Sequence, residues 1–160
     1  MGRSSRRGVI AVALVAAAAI ALPASAGAGQ PDVSLKVAKQ KDGPYREHVG
    51  AHMDLNQAKD FYWKVRNVTD AKLTQVLIID GAKYPPGWIA RWFRGENNIT
   101  SDVRNAGYEF ALGVGKSKIF RSHLKATKAI GPLCHDAAAG PPETSQSFAL
   151  VSINDPVCLF

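Results

Sequence analysis

Several things are scarce in this 160-residue chain, and each scarcity removes a class of function. There are two cysteines, Cys134 and Cys158, and no C-x-x-C pair, so a zinc ribbon or a dithiol redox motif is excluded. No Gly-x-Ser-x-Gly elbow is present and no Ser-His-Asp set is apparent from spacing, which leaves hydrolytic catalysis without a named candidate. Lysines and arginines are scattered among acids with no run of like charge, a pattern that argues against nucleic-acid binding. The chain beyond its first residues also lacks any extended stretch of helical periodicity.

What is present begins with a targeting segment. Arg3, Arg6 and Arg7 precede an apolar run from Val9 to Leu22, which ends at Ala24-Ser25-Ala26. A basic head, an apolar stretch and an A-x-A site make residues 1–26 a secretory signal peptide, cleaved after Ala26. The run falls short of the roughly 20 residues that cross a bilayer, so no membrane span is expected after cleavage. Arg6-Arg7 also suits the twin-arginine export route. Losing three arginines lowers the formal charge from +7 to +4, and residues 27–160 suffice for a single domain with its own core. In an exported chain the two cysteines are expected to form a disulfide, Cys134–Cys158.

The rest is punctuated by strand signals. Phe61, Trp63 and Val65 alternate with Tyr62, Lys64 and Arg66, a half-buried strand. Leu73 to Ile79 is nearly continuous in apolar character, as in a strand covered on both faces or central in its sheet. Trp88 to Phe93 follows the Pro85-Pro86-Gly87 break. Val33, Leu35 and Val37 mark an earlier strand, and Tyr108 to Leu112, Lys118 to Thr127 and Phe148 to Ile153 mark later ones. Asn98 to Val103 suits one helical turn. Ala38 to Gln57 reads as a long surface loop, and Gly131-Pro132 with Ala137 to Pro142 as a loose loop. About seven strands with turns between them predict an all-β antiparallel sandwich.

A set of short motifs adds a resemblance. Pro31-Asp32, Phe61-x-x-Lys64-Val65-x-Asn67, Trp92-Phe93-x-Gly95, Asn98-Ile99-Thr100 with Val103, Gly107-Tyr108 and Leu112-x-x-Gly115 resemble the immunoglobulin-like repeats of secreted bacterial surface proteins, a group close to the cell-adhesion-related domain found in bacteria. The likeness runs from Pro31 to about Pro132. The chain departs from the pattern at Asn67-Val68-Thr69-Asp70, where the repeats carry Asn-Asp-Gly, at Asn98 for aspartate, and at Val114 for proline. The resemblance implies an immunoglobulin-like β-sandwich used as a spacer or binding module on the cell exterior, and it brings no catalytic residue.

Gly113-Val114-Gly115-Lys116-Ser117 contains a G-K-S, but a phosphate loop needs glycine where Phe110 stands and a helix starting at the lysine. His48, His52 and Asp54 would share a helix face, yet Gly50 and Pro44 oppose a helix there, so no metal is expected. Asn67-Val68-Thr69 and Asn98-Ile99-Thr100 have the form of glycosylation sequons. Tyr62, Tyr84, Trp88 and Trp92 are the candidate ligand-contact aromatics, with core packing of the tryptophans as the simpler reading. The expected function is a secreted, extracellular or envelope-associated, non-enzymatic binding or structural module. It would need no cofactor, and its partner would be an unidentified cell-surface or extracellular protein or glycan. A carbohydrate-binding module would show exposed coplanar aromatics, and a small secreted enzyme would show a buried, hydrogen-bonded cluster of His with Asp or Ser in a cleft.

Overall fold

Alternation of apolar and polar side chains gives each strand of this chain one face for the core, and the strands satisfy that demand by stacking two sheets. A computed structural model describes residues 30–128, 131–154 and 158, so the expected signal peptide lies outside the described residues. The elements are β1 (Val33–Ala38), β2 (His48–Ala51), β3 (Ala58–Asn67), β4 (Leu73–Asp80), β5 (Trp88–Arg94), β6 (Asn97–Asn98), α1 (Thr100–Asn105), β7 (Tyr108–Leu112), β8 (Ser117–Ala126), β9 (Leu133–Gly140) and β10 (Ser147–Ile153). They form a β-sandwich of two five-stranded sheets, ordered β1-β3-β8-β5-β6 and β2-β10-β9-β4-β7. Every pairing is antiparallel except β2 with β10, which is parallel.

The centre of the first sheet is the long β3–β8 ladder, running from Ala58↔Lys125 to Arg66↔Ser117. Phe61, Trp63 and Val65 from β3 and Phe120 and Leu124 from β8 are essentially inaccessible to solvent, as the alternation predicts. β4 lies between β9 and β7, inside the second sheet, which accounts for its apolar run. The β7–β8 connection is a turn in which Lys116 N–H bonds Gly113 C=O, and Gly115 takes φ 65°. Ser117 then starts a strand rather than a helix, so the G-K-S sequence forms no phosphate loop.

Two expectations need correction. The segment 38–57 is not one loop, because β2 inside it joins the edge of the second sheet beside β10. That pairing spans about a hundred residues and buries only Val49 of β2, so no local alternation announces it. The region after Pro132 is the interior strand β9 rather than a loose loop. Its inward positions are Leu133, His135, Ala137 and Ala139, too small or too polar to look like a core strand. Ten strands are therefore present among the described residues, where about seven were expected.

The disulfide Cys134–Cys158 is formed, tying the chain beyond β10 to β9. Asn67 is fully buried, its amide donating to the carbonyls of Ala71, Leu112 and Gly113 and its oxygen accepting from Thr69. The first sequon is thus a structural clasp, whereas Asn98 is exposed. α1 is a short helix that buries Val103 beside β4 and β5. Among the described residues no helix is long and apolar enough to cross a membrane.

Candidate functional site

β8 places successive side chains on opposite sides of the first sheet, and two polar arrangements result. Ser122 points into the core and Arg121 and His123 point out.

On the inner side Ser122 of β8, His135 of β9, Asp80 at the end of β4, Tyr84 from the following loop, Trp63 of β3 and Trp92 of β5 form one cluster. The contacts form one directed chain. Trp63 Nε1–H donates to Ser122 Oγ at 2.8 Å, and Ser122 lies 2.8 Å from His135 Nε2. His135 Nδ1 lies 2.7 Å from the Tyr84 hydroxyl, which donates to Asp80 Oδ2 at 2.8 Å. Trp92 Nε1–H donates to the same carboxylate oxygen at 2.9 Å, and the Ala82 N–H donates to Oδ1 at 3.1 Å. With Asp80 ionised, the Tyr84 hydroxyl donates its hydrogen bond to the carboxylate. His135 then donates from Nδ1 and accepts from Ser122 at Nε2 as a neutral imidazole.

Electrostatics agree with that assignment. Burial alone lowers the His135 pKa from 6.5 to about 3, favouring the neutral ring. Burial raises Asp80 above the usual carboxylate range, opposed by the hydrogen bonds from Tyr84, Trp92 and Ala82. The Tyr84 hydroxyl is pushed up by burial and by the Asp80 charge, and so keeps its proton. Trp63 and Trp92 pack against the imidazole with ring centroids 5.0 and 5.4 Å away. Among the described residues no buried side-chain nitrogen or oxygen lacks a partner.

A Ser-His-carboxylate set of this kind invites a comparison with nucleophilic catalysis, but its surroundings differ. Ser122 and His135 are 0% exposed, and the hydroxyl is already engaged by Trp63 and His135. The cluster sits between the sheets and not in a cleft. What it does is join β3, β4, β5, β8 and β9 by hydrogen bonds through the middle of the sandwich, a network whose members all depend on one another.

On the outer side the first sheet presents Lys36 of β1, Lys64 and Arg66 of β3, Arg91 of β5, and Arg121 and Lys125 of β8. Against these basic residues stands one outward carboxylate from the strands, Asp60. It accepts from Arg121 at 3.1 Å and lies 2.7 Å from His123 Nδ1. Arg121 also covers the Phe93 ring at 4.3 Å. Lys36 and Lys64 are direct cross-strand partners, a like-charge juxtaposition that works against the sheet. At the end of β3 where Asp60 lies, the face adjoins a groove of about 530 Å³ lined by Lys39, Lys41, Lys59, Asp60, Tyr62 and His123 among others. The outward positions of the second sheet have the opposite character: Leu77, Ile79, Ala138, Phe148 and Leu150 with the carboxylates Glu109 and Asp136, and no lysine or arginine.

The four candidate aromatics are separated by this geometry. Trp92 is fully buried and Tyr84 turns its hydroxyl into the internal network, so neither belongs to a contact surface. Trp88 packs partly buried against the core, on the inner side of β5. Tyr62 is on the outer face and lines the groove. His52 and Asp54 meet at 3.2 Å on the surface, while His48 turns to Ser152, so the two histidines do not converge. No group able to hold a metal ion occurs among the described residues. The internal network escaped sequence reasoning, but its members stand at inward alternation positions: Asp80 after Val76 and Ile78, His135 between Leu133 and Ala137, and Ser122 between Phe120 and Leu124.

No protein-family model and no curated protein matches the chain. Among solved structures it is similar to a family 123 glycoside hydrolase from Clostridium perfringens, with TM-score 0.53 and 6% identity over 76% of this chain, and it spans only 27% of that enzyme. A conjugative transposon lipoprotein from Bacteroides eggerthii gives TM-score 0.49 and 10% identity over 78% of this chain and 98% of the other. A CARDB domain from Pyrococcus furiosus, solved with two metal ions, gives 0.43 and 11% over 77% and 93%. At such identities the likeness is one of fold alone.

Proposed function

We propose that the chain is a secreted, non-enzymatic binding module of the cell exterior or envelope whose contact surface is the outer face of the first sheet with its adjoining groove. One observation carries this reading: basic residues are concentrated on that face at a cost to the sheet, with Lys36 set directly against Lys64, while the second sheet carries none on its outer strand positions. Stability alone would favour mixed charges there. The disulfide suits an oxidising compartment, as does the signal peptide expected from the sequence. A flat aromatic platform for sugar stacking has less support, because Tyr62 and Trp88 lie on opposite sides of the first sheet.

The test is lysine acetylation footprinting of the exported protein with and without an envelope fraction. Protection should concentrate at Lys36, Lys64 and Lys125, leaving Lys72 and Lys128 reactive. Protection confined to Lys72 and Lys128, or none anywhere, contradicts the proposal.

A further inference from the structure

We infer that the partner is a linear anionic glycan, one bearing a carboxylate, sulfate or phosphate group on successive repeat units. This rests on the reading of the outer face as the contact surface. The face is a flat ladder whose cations stand one strand apart, as Lys36 and Lys64 do, or two residues apart along a strand, as Lys64 and Arg66 do. Those spacings are about 4.8 and 6.8 Å, a repeat suited to regularly charged polymer units rather than to a single ion. At the Asp60 end of β3 the face adjoins a groove lined by Lys39, Lys41 and Lys59 together with Asp60, so further cations stand beside the face in an open groove instead of a closed pocket.

The groups between the cations favour a glycan over other polyanions. Ile89 and Ile119 are exposed on the same face, offering small apolar surfaces to the carbon faces of sugar rings. Single-stranded nucleic acid is held by stacking on open aromatic rings. Here Phe93 lies under Arg121, Tyr45 under Lys64, and Tyr62 is half-buried. Duplex grooves admit a helix or a two-stranded ribbon, and a broad sheet face is neither. Asp60, which pairs with Arg121 and His123, leaves Lys36, Lys64, Arg66, Arg91 and Lys125 free of carboxylate partners among the described ion pairs.

Binding of the full exported chain would be measured against heparin, polygalacturonate, a single-stranded oligonucleotide of matched charge, and phosphatidylglycerol vesicles. At least one of the two glycans should bind more tightly than the oligonucleotide and the vesicles, and should weaken on the order of tenfold or more as salt rises from low to physiological levels. K36E/K64E should lose at least about tenfold in affinity, while K72E/K128E, with the same change in net charge, should stay within about twofold. Circular dichroism and melting of both variants separate loss of binding from loss of fold. Tighter binding of the oligonucleotide or vesicles, or equal losses in the two variants, overturns the glycan inference. If neither glycan binds but the envelope fraction still protects Lys36, Lys64 and Lys125, the inference falls and the contact face stands. If both fail, both readings fall.

Discussion

The chain contains two histidines facing aspartates from neighbouring strands, one inside the sandwich and one outside, and they are built to opposite rules. His135 reaches Asp80 through the Tyr84 hydroxyl, its Nδ1 itself 3.9 Å from the carboxylate, in a buried site where the imidazole stays neutral. His123 touches Asp60 directly at 2.7 Å, beside Arg121, with the side chains about a third exposed. Among the described residues no buried side-chain nitrogen or oxygen in the core is left unpaired, since one left over would be costly. On the outer face like charges stand side by side, where water screens them and a partner of opposite charge can use them. The inner arrangement concerns stability, and the outer one is the face proposed for contact.

Removing the carboxylate is the largest perturbation of that contrast. Asp80→Ala strands the donors of Tyr84, Trp92 and Ala82 together, and should cost about 3–5 kcal/mol in urea denaturation. A cost below about 1 kcal/mol would mean that water replaces the carboxylate, and the interior would not be dry.

Acid comes next. The folded-state pKa of His135 lies below its unfolded value of 6.5, so its contribution is fully present above 6.5 and is lost as pH falls toward about 3. Over that window it should lower stability by up to about 1.4 kcal/mol per pH unit. Asp80, raised by burial, acts in the opposite sense, since protonation relieves a buried charge as the pH drops. Stability measured from pH 7 to 4 should therefore decline for the native chain and flatten in His135→Gln; parallel curves would show that the imidazole is not what titrates.

Adjacent residues of β8 give the sharpest pairwise test. Ser122→Ala, which leaves Trp63 Nε1–H and His135 without their partner, should cost about 1–3 kcal/mol. His123→Gln should cost under about 1 kcal/mol, as expected of a partly exposed pair. Comparable losses at both positions would erase the distinction between the two sides of the strand. The smallest effect is also the most pointed: Lys64→Gln removes a like-charge neighbour of Lys36 and should leave stability unchanged or raised by a few tenths of a kcal/mol.

Much of the architecture is legible in the sequence because inward apolar side chains alternate in β1, β3, β7 and β8. β9 is invisible for a physical reason: its inward positions are three parts leucine and alanine to one part histidine, and that histidine earns its place only through partners on other strands. β2 is invisible because its pairing is parallel and its partner, β10, lies at the other end of the chain. The basic face is hidden for a related reason. Lys36, Lys64, Arg91 and Lys125 form no run along the sequence, and only the order β1-β3-β8-β5 brings them side by side.

The claim that the two outer faces differ in function is tested most directly by amide and methyl NMR shifts of the full exported chain during titration with heparin. Salt-sensitive shifts are expected at outward positions of β1, β3, β5 and β8, including Lys36, Lys64, Arg91 and Ile119, with Leu77, Ile79, Ala138 and Phe148 unmoved. Shifts centred on those second-sheet residues, or none on either face, would contradict it.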